Sequence, residues 1–224
     1  MNKNNISSHY KQIKSNLDDK IYLISLLIIS ILLSILIVKN FSSNFLINTI
    51  LISSALYLFF ITLRDFFNKG FKNLAQNMAH FGFSLLILSI LFNSLFSSEI
   101  ITNLKVGETF ENTKTKIVFE SISQKEEKNY NSIVAKFTVQ DSKGKLENLS
   151  PELRIYNQPN IATSEADIKT TLLSDKFIVI NIVQNQEFFN VRYQVKPFML
   201  WIWISVILIS VGGLVSFVKK EYEK

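Results

Sequence analysis

An integral membrane α-helical protein of about four transmembrane helices, plus a small all-β extramembrane domain that is barrel- or sandwich-like, is the fold class this sequence predicts. Three observations predict it. The apolar residues, 48% of the 224, are gathered into blocks, and four of these reach the roughly 20 residues needed to cross a hydrocarbon core of about 30 Å. A polar segment at 99–196 separates the third block from the fourth and alternates apolar with polar residues. Outside that segment, basic residues collect at Lys3, Lys11, Lys14 and Lys20, at Arg64, Lys69 and Lys72, and at Lys219, Lys220 and Lys224, while the short loop between the first two blocks has only Lys39.

The basic clusters set the orientation. Cytoplasmic tails and short loops carry the excess of Lys and Arg, so residues 1–20 and 219–224 are read as cytoplasmic tails and 64–77 as an inner loop. Spans at about 21–38, 45–63 and 79–97 fill 21–98, and a C-terminal span fills 197–218. Four crossings leave 99–196 on the outer side. The net charge of +6 therefore signals orientation, and no nucleic-acid partner is expected. With no cysteine, the outer domain folds without disulfides, as its size permits. The first apolar run is longer than a signal peptide's and lacks a small-residue cleavage site, so it is read as retained.

The first two apolar runs, "IYLISLLIISILLSILIV" and "FLINTILISSALYLFFITL", hold no ionisable group and read as packing helices whose serines bond to a preceding carbonyl or a neighbouring helix. "KNFSSN" between them is an outer turn. "RDFFNKGFKNLAQN" is amphipathic and basic, suited to the inner headgroup region. In the outer domain, "KTKIVFESIS" sets Ile117, Phe119 and Ser121 on one face, and "SIVAKFTVQ" sets Ile133, Ala135, Phe137 and Val139 on one face. "DSKG" is a turn with Gly144 free to take a positive φ. Three further strands are expected in "KLENLSPELRIY", "DKFIVINIV" and "FFNVRYQV". A short helix is expected at 165–171, capped by Thr163 or Ser164. Pro197 marks the break into the last span, Trp201 and Trp203 sit at the outer interface, and Gly212 and Gly213 allow close helix approach.

Hydrolytic chemistry finds no support: there is no cysteine, glycine-rich phosphate loop or HExxH pair. Glu126 and Glu127 read as a solvated turn. His80 stands out. Only two histidines exist, and His9 lies in the polar tail. His80 lies in "NMAHFGFSLLILSILFNSLF", within an apolar span where an ionisable residue points to function and faces the bundle interior. Ser84, Ile87 and Leu91 continue its stripe, and Gly82 removes bulk beside it, where a flat macrocycle or another backbone could approach. An imidazole there can ligate haem iron, accept a proton or donate a hydrogen bond. Alternatively it is an interfacial residue bonded to headgroups, being only about 5 Å deeper than Asn77.

The stretch "MAHFGFSLLILSILFNSLFSSE" resembles the penultimate span of the CcmF family, the haem lyase membrane subunit of cytochrome c maturation. "KVGETF", "NY" at 129–130, "PELRIYNQPNIATSEADI" and "VRYQVKPFMLWIWISVILISVGG" come after it in the family's order, so the resemblance covers about 78–216. It implies that His80 is one of two transmembrane histidines holding a permanent b-type haem, which keeps an incoming haem reduced while its vinyl groups are joined to apocytochrome c thiols. His80 would then be the iron's axial ligand, with Gly82 and Ser84 shaping the pocket edge.

Family members are several times larger and carry a tryptophan-rich outer segment with flanking histidines. The only tryptophans here are Trp201 and Trp203, and no histidine lies in the outer domain. The resemblance thus implies a C-terminal subunit or fragment of a haem lyase complex, from a split or a truncated gene, not catalytically complete alone. Its haem would be shared with an N-terminal CcmF-type subunit carrying the tryptophan-rich site. Other cytochrome c maturation proteins, apocytochrome c and membrane lipid are the further partners. The expected location is the bacterial or mitochondrial inner membrane, with the β domain on the periplasmic or intermembrane-space side. The alternative is a membrane-anchored structural or docking subunit of cytochrome c assembly without its own haem ligand.

Overall fold

Where no water reaches the backbone, every N–H and C=O must be satisfied within its own segment, and the four apolar blocks accordingly form helices. The structure, a computed structural model, describes residues 3–39, 41, 44–69, 73–183 and 187–222, with the side chains of 3–17, 69 and 219–222 excepted. The helices are α1 (Lys3–Val38), α2 (Phe45–Lys69), α3 (Leu74–Phe96) and α4 (Met199–Tyr222). Each contains a stretch long and apolar enough to cross a membrane: Asp18–Val38, Phe45–Asn68, Leu74–Phe96 and Met199–Val218. Parts of the expected turn at 39–44 and of the inner loop lie outside the described residues.

Serine hydroxyls in α1 and α2 close on their own helix. Ser30 donates to the Leu26 carbonyl at 2.8 Å and Ser34 to Ile31 at 2.8 Å, while Ser53 and Ser54 both donate to Ile50. Val38, Ile52, Ala55, Leu56 and Leu88 are buried together, with Phe59, Ile87 and Leu91 packed against them. Arg64 of α2 pairs with Asp19 of α1 at 3.0 Å and lies 4.4 Å from the Tyr22 ring centre.

The chain divides into two compact units: residues 1–95 with 201–224, and residues 96–200. The second unit is a two-sheet β domain. Its strands are β1 (Ser98–Leu104), β2 (Thr109–Glu111), β3 (Thr115–Glu126), β4 (Tyr130–Asp141), β5 (Leu146–Leu149), β6 (Glu152–Asn157), β7 (Asn160–Glu165), β8 (Asp167–Thr170), β9 (Ser174–Ile182) and β10 (Phe189–Pro197). One sheet runs β1-β10-β9-β8. The other runs β2-β3-β4-β6-β7, with β5 also on β4. Between them lie Leu104, Ile117, Phe119, Ala135, Phe137, Val139, Ile178, Ile180 and Val191. The Phe119 and Phe137 rings stack with centroids 4.4 Å apart.

The alternation expected in β4 holds through Ala135, Phe137 and Val139. That in β3 does not run the whole strand. A bulge between Phe119 and Ser121 inserts one residue and reverses the facing of the rest of the strand, so Ile122 rather than Ser121 packs on the core. Gly144 takes φ 78 in the expected turn, where Asp141 accepts from the Lys143 and Lys145 amides. No helix forms at 165–171. β7 pairs with β6, matching Thr163 to Arg154 and Ser164 to Leu153. β8 then pairs with β9 in the other sheet. Ladder bonding takes up the backbone that a helix would have needed, and the Ser164 hydroxyl donates to Asn181 at 2.5 Å instead of capping.

A buried carboxylate ties the sheets together. Glu147 of β5 is 2% exposed and receives the Lys176 ammonium of β9 at 2.8 Å and that of Lys145 at 2.9 Å. Burial alone would push its carboxyl up, but the two ammonium groups outweigh burial and hold it below the usual carboxylate range. Because the folded state lowers this pKa, the stabilisation is present above the ordinary value near 4.5 and is lost as pH falls through the folded value. Lys176→Met should therefore destabilise the β domain by about 3 kcal/mol, whereas Lys145→Met, at an exposed amine, should cost under about 1 kcal/mol. Denaturant titrations from neutral to acid pH should show the Lys176 effect shrinking at the acid end.

Candidate functional site

Three faces of α3 have different fates, and they decide what His80 can do. The first packs on α2. Ser84 is fully buried, its hydroxyl 2.6 Å from that of Thr62 and 2.8 Å from the Phe81 carbonyl. Thr62 in turn closes on the Leu58 and Phe59 carbonyls. The Phe81 ring lies between Phe59 and Phe66, with centroids 5.6 and 5.5 Å away. Hydroxyl pairs of this kind fix rotation between membrane helices.

A second face packs on α4 through small residues. A Cβ added at Gly82 would meet Ile209 Cγ1 and Leu208 Cβ, both at 3.0 Å, and the Ile209 amide nitrogen at 3.1 Å. On the opposing helix, a Cβ at Gly212 would meet the Ala75 carbonyl oxygen at 2.7 Å and the Ala79 nitrogen at 2.9 Å. Ala75, Ala79 and Gly82 thus form a small-residue stripe into which α4 settles, as close approach without a Cβ allows. A Cβ at Gly213 would meet nothing within 4 Å, so only the first glycine of the expected pair serves this contact.

The third face is uncovered. Gln76, His80, Phe83, Ile90 and Ser94 are exposed, spaced as one side of a helix. His80 stands at the end of the stripe formed with Ser84, Ile87 and Leu91. Ile87 and Leu91 reach the helical core and Ser84 reaches α2, but one turn earlier nothing among the described residues covers the imidazole. Gly82 points about 200° away from it round the helix. The three residues singled out from the sequence therefore do not converge: Gly82 meets α4, Ser84 meets α2, and His80 faces outward. Thr62 and Ala79, which complete the two contacts, carried no signal beyond being small residues in apolar runs.

Among the described residues, no group of three or more His, Asp or Glu side chains could hold a metal ion, and the His80 imidazole has no hydrogen-bond partner. Its donor chemistry fits one axial position on a haem iron. An opposite ligand would have to come from elsewhere.

This is a polytopic membrane protein with a β-sandwich inserted between its last two spans, and its relatives narrow the class. Residues 95–197 match the family model described as the CcmF C-terminal beta-sandwich. The cytochrome c-type biogenesis protein CcmF of Pseudomonas aeruginosa is 25% identical over 172 residues, covering 71% of this chain and 26% of that protein. The cytochrome c-type biogenesis protein ccl1 of Rhodobacter capsulatus is 32% identical over 118 residues, covering 53% and 18%. A solved structure of the cytochrome c heme lyase CcmF shares the fold with a TM-score of 0.64 at 17% identity, covering 87% of this chain and 33% of that one. The β domain matches the CcmF C-terminal β-sandwich family over its whole length, and the chain is similar to the C-terminal part of CcmF-type proteins. It spans about a quarter of the length of the CcmF relatives it matches.

The glycine contacts are directly testable. Gly212→Ala should destabilise the helical unit by about 1–3 kcal/mol, because backbone atoms stand in the way, whereas Gly213→Ala should be neutral. Ser84→Ala should cost about 0.6 kcal/mol through loss of the Thr62 hydroxyl pair. Unfolding of the detergent-solubilised chain measures all three.

Proposed function

We propose that this chain is the C-terminal subunit or fragment of a cytochrome c haem lyase complex, in which His80 is an axial ligand to a b-type haem shared with a second polypeptide. The observation that carries this reading is the uncovered imidazole. Two faces of α3 are filled by neighbours, and the third carries His80, within an apolar run, exposed and with no partner among the described residues. A histidine exposed to acyl chains would be costly; a histidine against iron is satisfied. When bound, the haem supplies reversible one-electron chemistry. The residues of this chain hold it and fix its orientation: the Ser84–Thr62 pair sets the rotation of α3, and the Gly82 and Gly212 contacts set its distance from α4. On this reading Gly82 and Ser84 act by placing the helix, not by touching the macrocycle.

The remaining assignments rest on the same reading. The opposite ligand and the tryptophan-rich site for the incoming haem would come from an N-terminal CcmF-type subunit. With Arg64 near the end of α2 and the other basic clusters on the inner side, the β domain faces the periplasm or intermembrane space, where it meets apocytochrome c and other maturation proteins. The alternative role, a docking subunit without its own haem ligand, draws on the β-sandwich being the part that matches a family model.

The test separates the two. His80→Ala, co-purified with the N-terminal partner, should lose the reduced-minus-oxidised b-type signal and cytochrome c maturation. Helical stability should stay within about 0.5 kcal/mol of the parent, since the imidazole is exposed. A spectrum unchanged by His80→Ala sinks the ligand assignment. Maturation that survives His80→Ala yet fails when 99–196 is removed favours docking.

A further inference from the structure

Most turns of the β domain have the composition water demands: "NTK" before β3, "EKN" before β4, "DSKG" before β5. One does not. β8 and β9 are joined through Thr171, Leu172, Leu173 and Ser174, with Thr170 opposite Asp175. The turn is tightly made. The Thr171 amide donates to the Ser174 carbonyl at 3.0 Å, the Thr171 hydroxyl donates to the same oxygen at 2.8 Å, and the Ser174 amide donates back to that hydroxyl at 3.1 Å. Yet its two tip residues are leucines, 62% and 65% exposed, where hairpins ordinarily carry Asn, Asp or Gly. Backbone demand does not explain the choice of leucine, for neither residue takes a positive φ.

The position of this turn supplies the reason. β9 begins where β10 ends, with Ser174 opposite Pro197, and the Phe198 amide donates to the Leu173 carbonyl at 2.9 Å. Met199 is the first residue of α4 and of its membrane-spanning stretch. The other span joins at the same end: α3 stops at Phe96, and Ser98 of β1 lies opposite Val195 of β10. The leucine tip is thus bonded to the residue where the chain passes from sandwich into span. Trp201 and Trp203, the latter 61% exposed, come within about one helical turn of Met199 and mark an interfacial depth. Lys169, exposed, lies three residues before Leu172, roughly 10 Å from the tip, at the height of lipid phosphates if the tip lies among acyl chains.

We propose that the β8–β9 hairpin is a membrane-contacting finger: Leu172 and Leu173 insert into the lipid leaflet beside the start of α4, with Lys169 at the headgroups. The occupant of this surface is the bilayer itself. The bonded turn holds the leucines rigidly, so insertion requires no ordering of a loose loop. Its effect is to give the β domain a contact with lipid besides its two covalent connections.

The absence of cysteine from the chain makes the test clean. Single variants Leu172→Cys, Leu173→Cys and, as a water-exposed reference in the β1–β2 loop, Val106→Cys carry a nitroxide label. The full chain is reconstituted in vesicles of phosphatidylethanolamine and phosphatidylglycerol, and collision with oxygen and with a soluble nickel chelate is measured. Insertion predicts an oxygen-to-nickel accessibility ratio several-fold higher at 172 and 173 than at 106. Equal ratios at all three sites overturn the proposal. So does low accessibility to both reagents at 172 and 173, which would mean the tip is buried against protein. Neither result depends on haem or on His80.

Discussion

A helix in an apolar phase can present a polar group outward only if its other faces already hold it in place. α3 meets that condition through two unlike contacts. The Thr62–Ser84 hydroxyl pair at 2.6 Å is directional and fixes rotation. The interlocking of Gly82 with Ile209 and of Gly212 with Ala75 and Ala79 is steric and fixes distance. Hydrophobic attraction cannot do this between lipid-solvated helices, because acyl chains are as apolar as leucine. What remains is close packing and hydrogen bonding, and both occur here on the faces that His80 does not occupy. The direction of the imidazole is therefore a consequence of where the small residues and the serine lie.

The β domain solves a different problem. It is inserted between two spans, so its first and last strands have to start and finish near each other. Pairing β1 with β10 over seven residues, from Ser98–Val195 to Leu104–Phe189, achieves this. The core of Phe119, Phe137, Ile178 and Val191 then closes the two sheets. Glu147, held by Lys176 from the opposite sheet, adds a polar tie whose worth is mainly that breaking it strands a buried charge. The exit into α4 is abrupt: Phe198 takes φ 60 between the last strand and the first helical residue.

Much of this was legible along the chain. Apolar block length set the number of spans, and period-two alternation found β4, because both signals are local and repeated. His80 was conspicuous because a single titratable group in an apolar run has few innocent explanations. The failures are equally physical. The bulge at Phe119–Ser121 reversed the facing of β3, and no local pattern announces an inserted residue whose stabilisation comes from the partner strand. At 163–171, "TSEADIKTT" carries capping residues and acidic side chains that suit a helix start. The ladders to β6 and β9 overrode that preference, and the chain changed sheets at Ala166.

By itself, then, the sequence determined which segments are apolar enough to enter a bilayer, that the segment between the last two folds as β structure, and which residue is chemically out of place. Those properties depend on composition and spacing over a few residues. Only the tertiary structure decided that Gly212 rather than Gly213 meets α3, that Ser84 and Gly82 serve helix contacts on separate faces, that His80 lies on the face those contacts leave uncovered, and that two leucines at a hairpin tip sit beside the chain's passage into α4. Each of these depends on which helix or strand lies alongside. That neighbour comes from a distant part of the chain, so its identity is a property of packing and cannot be read from local pattern.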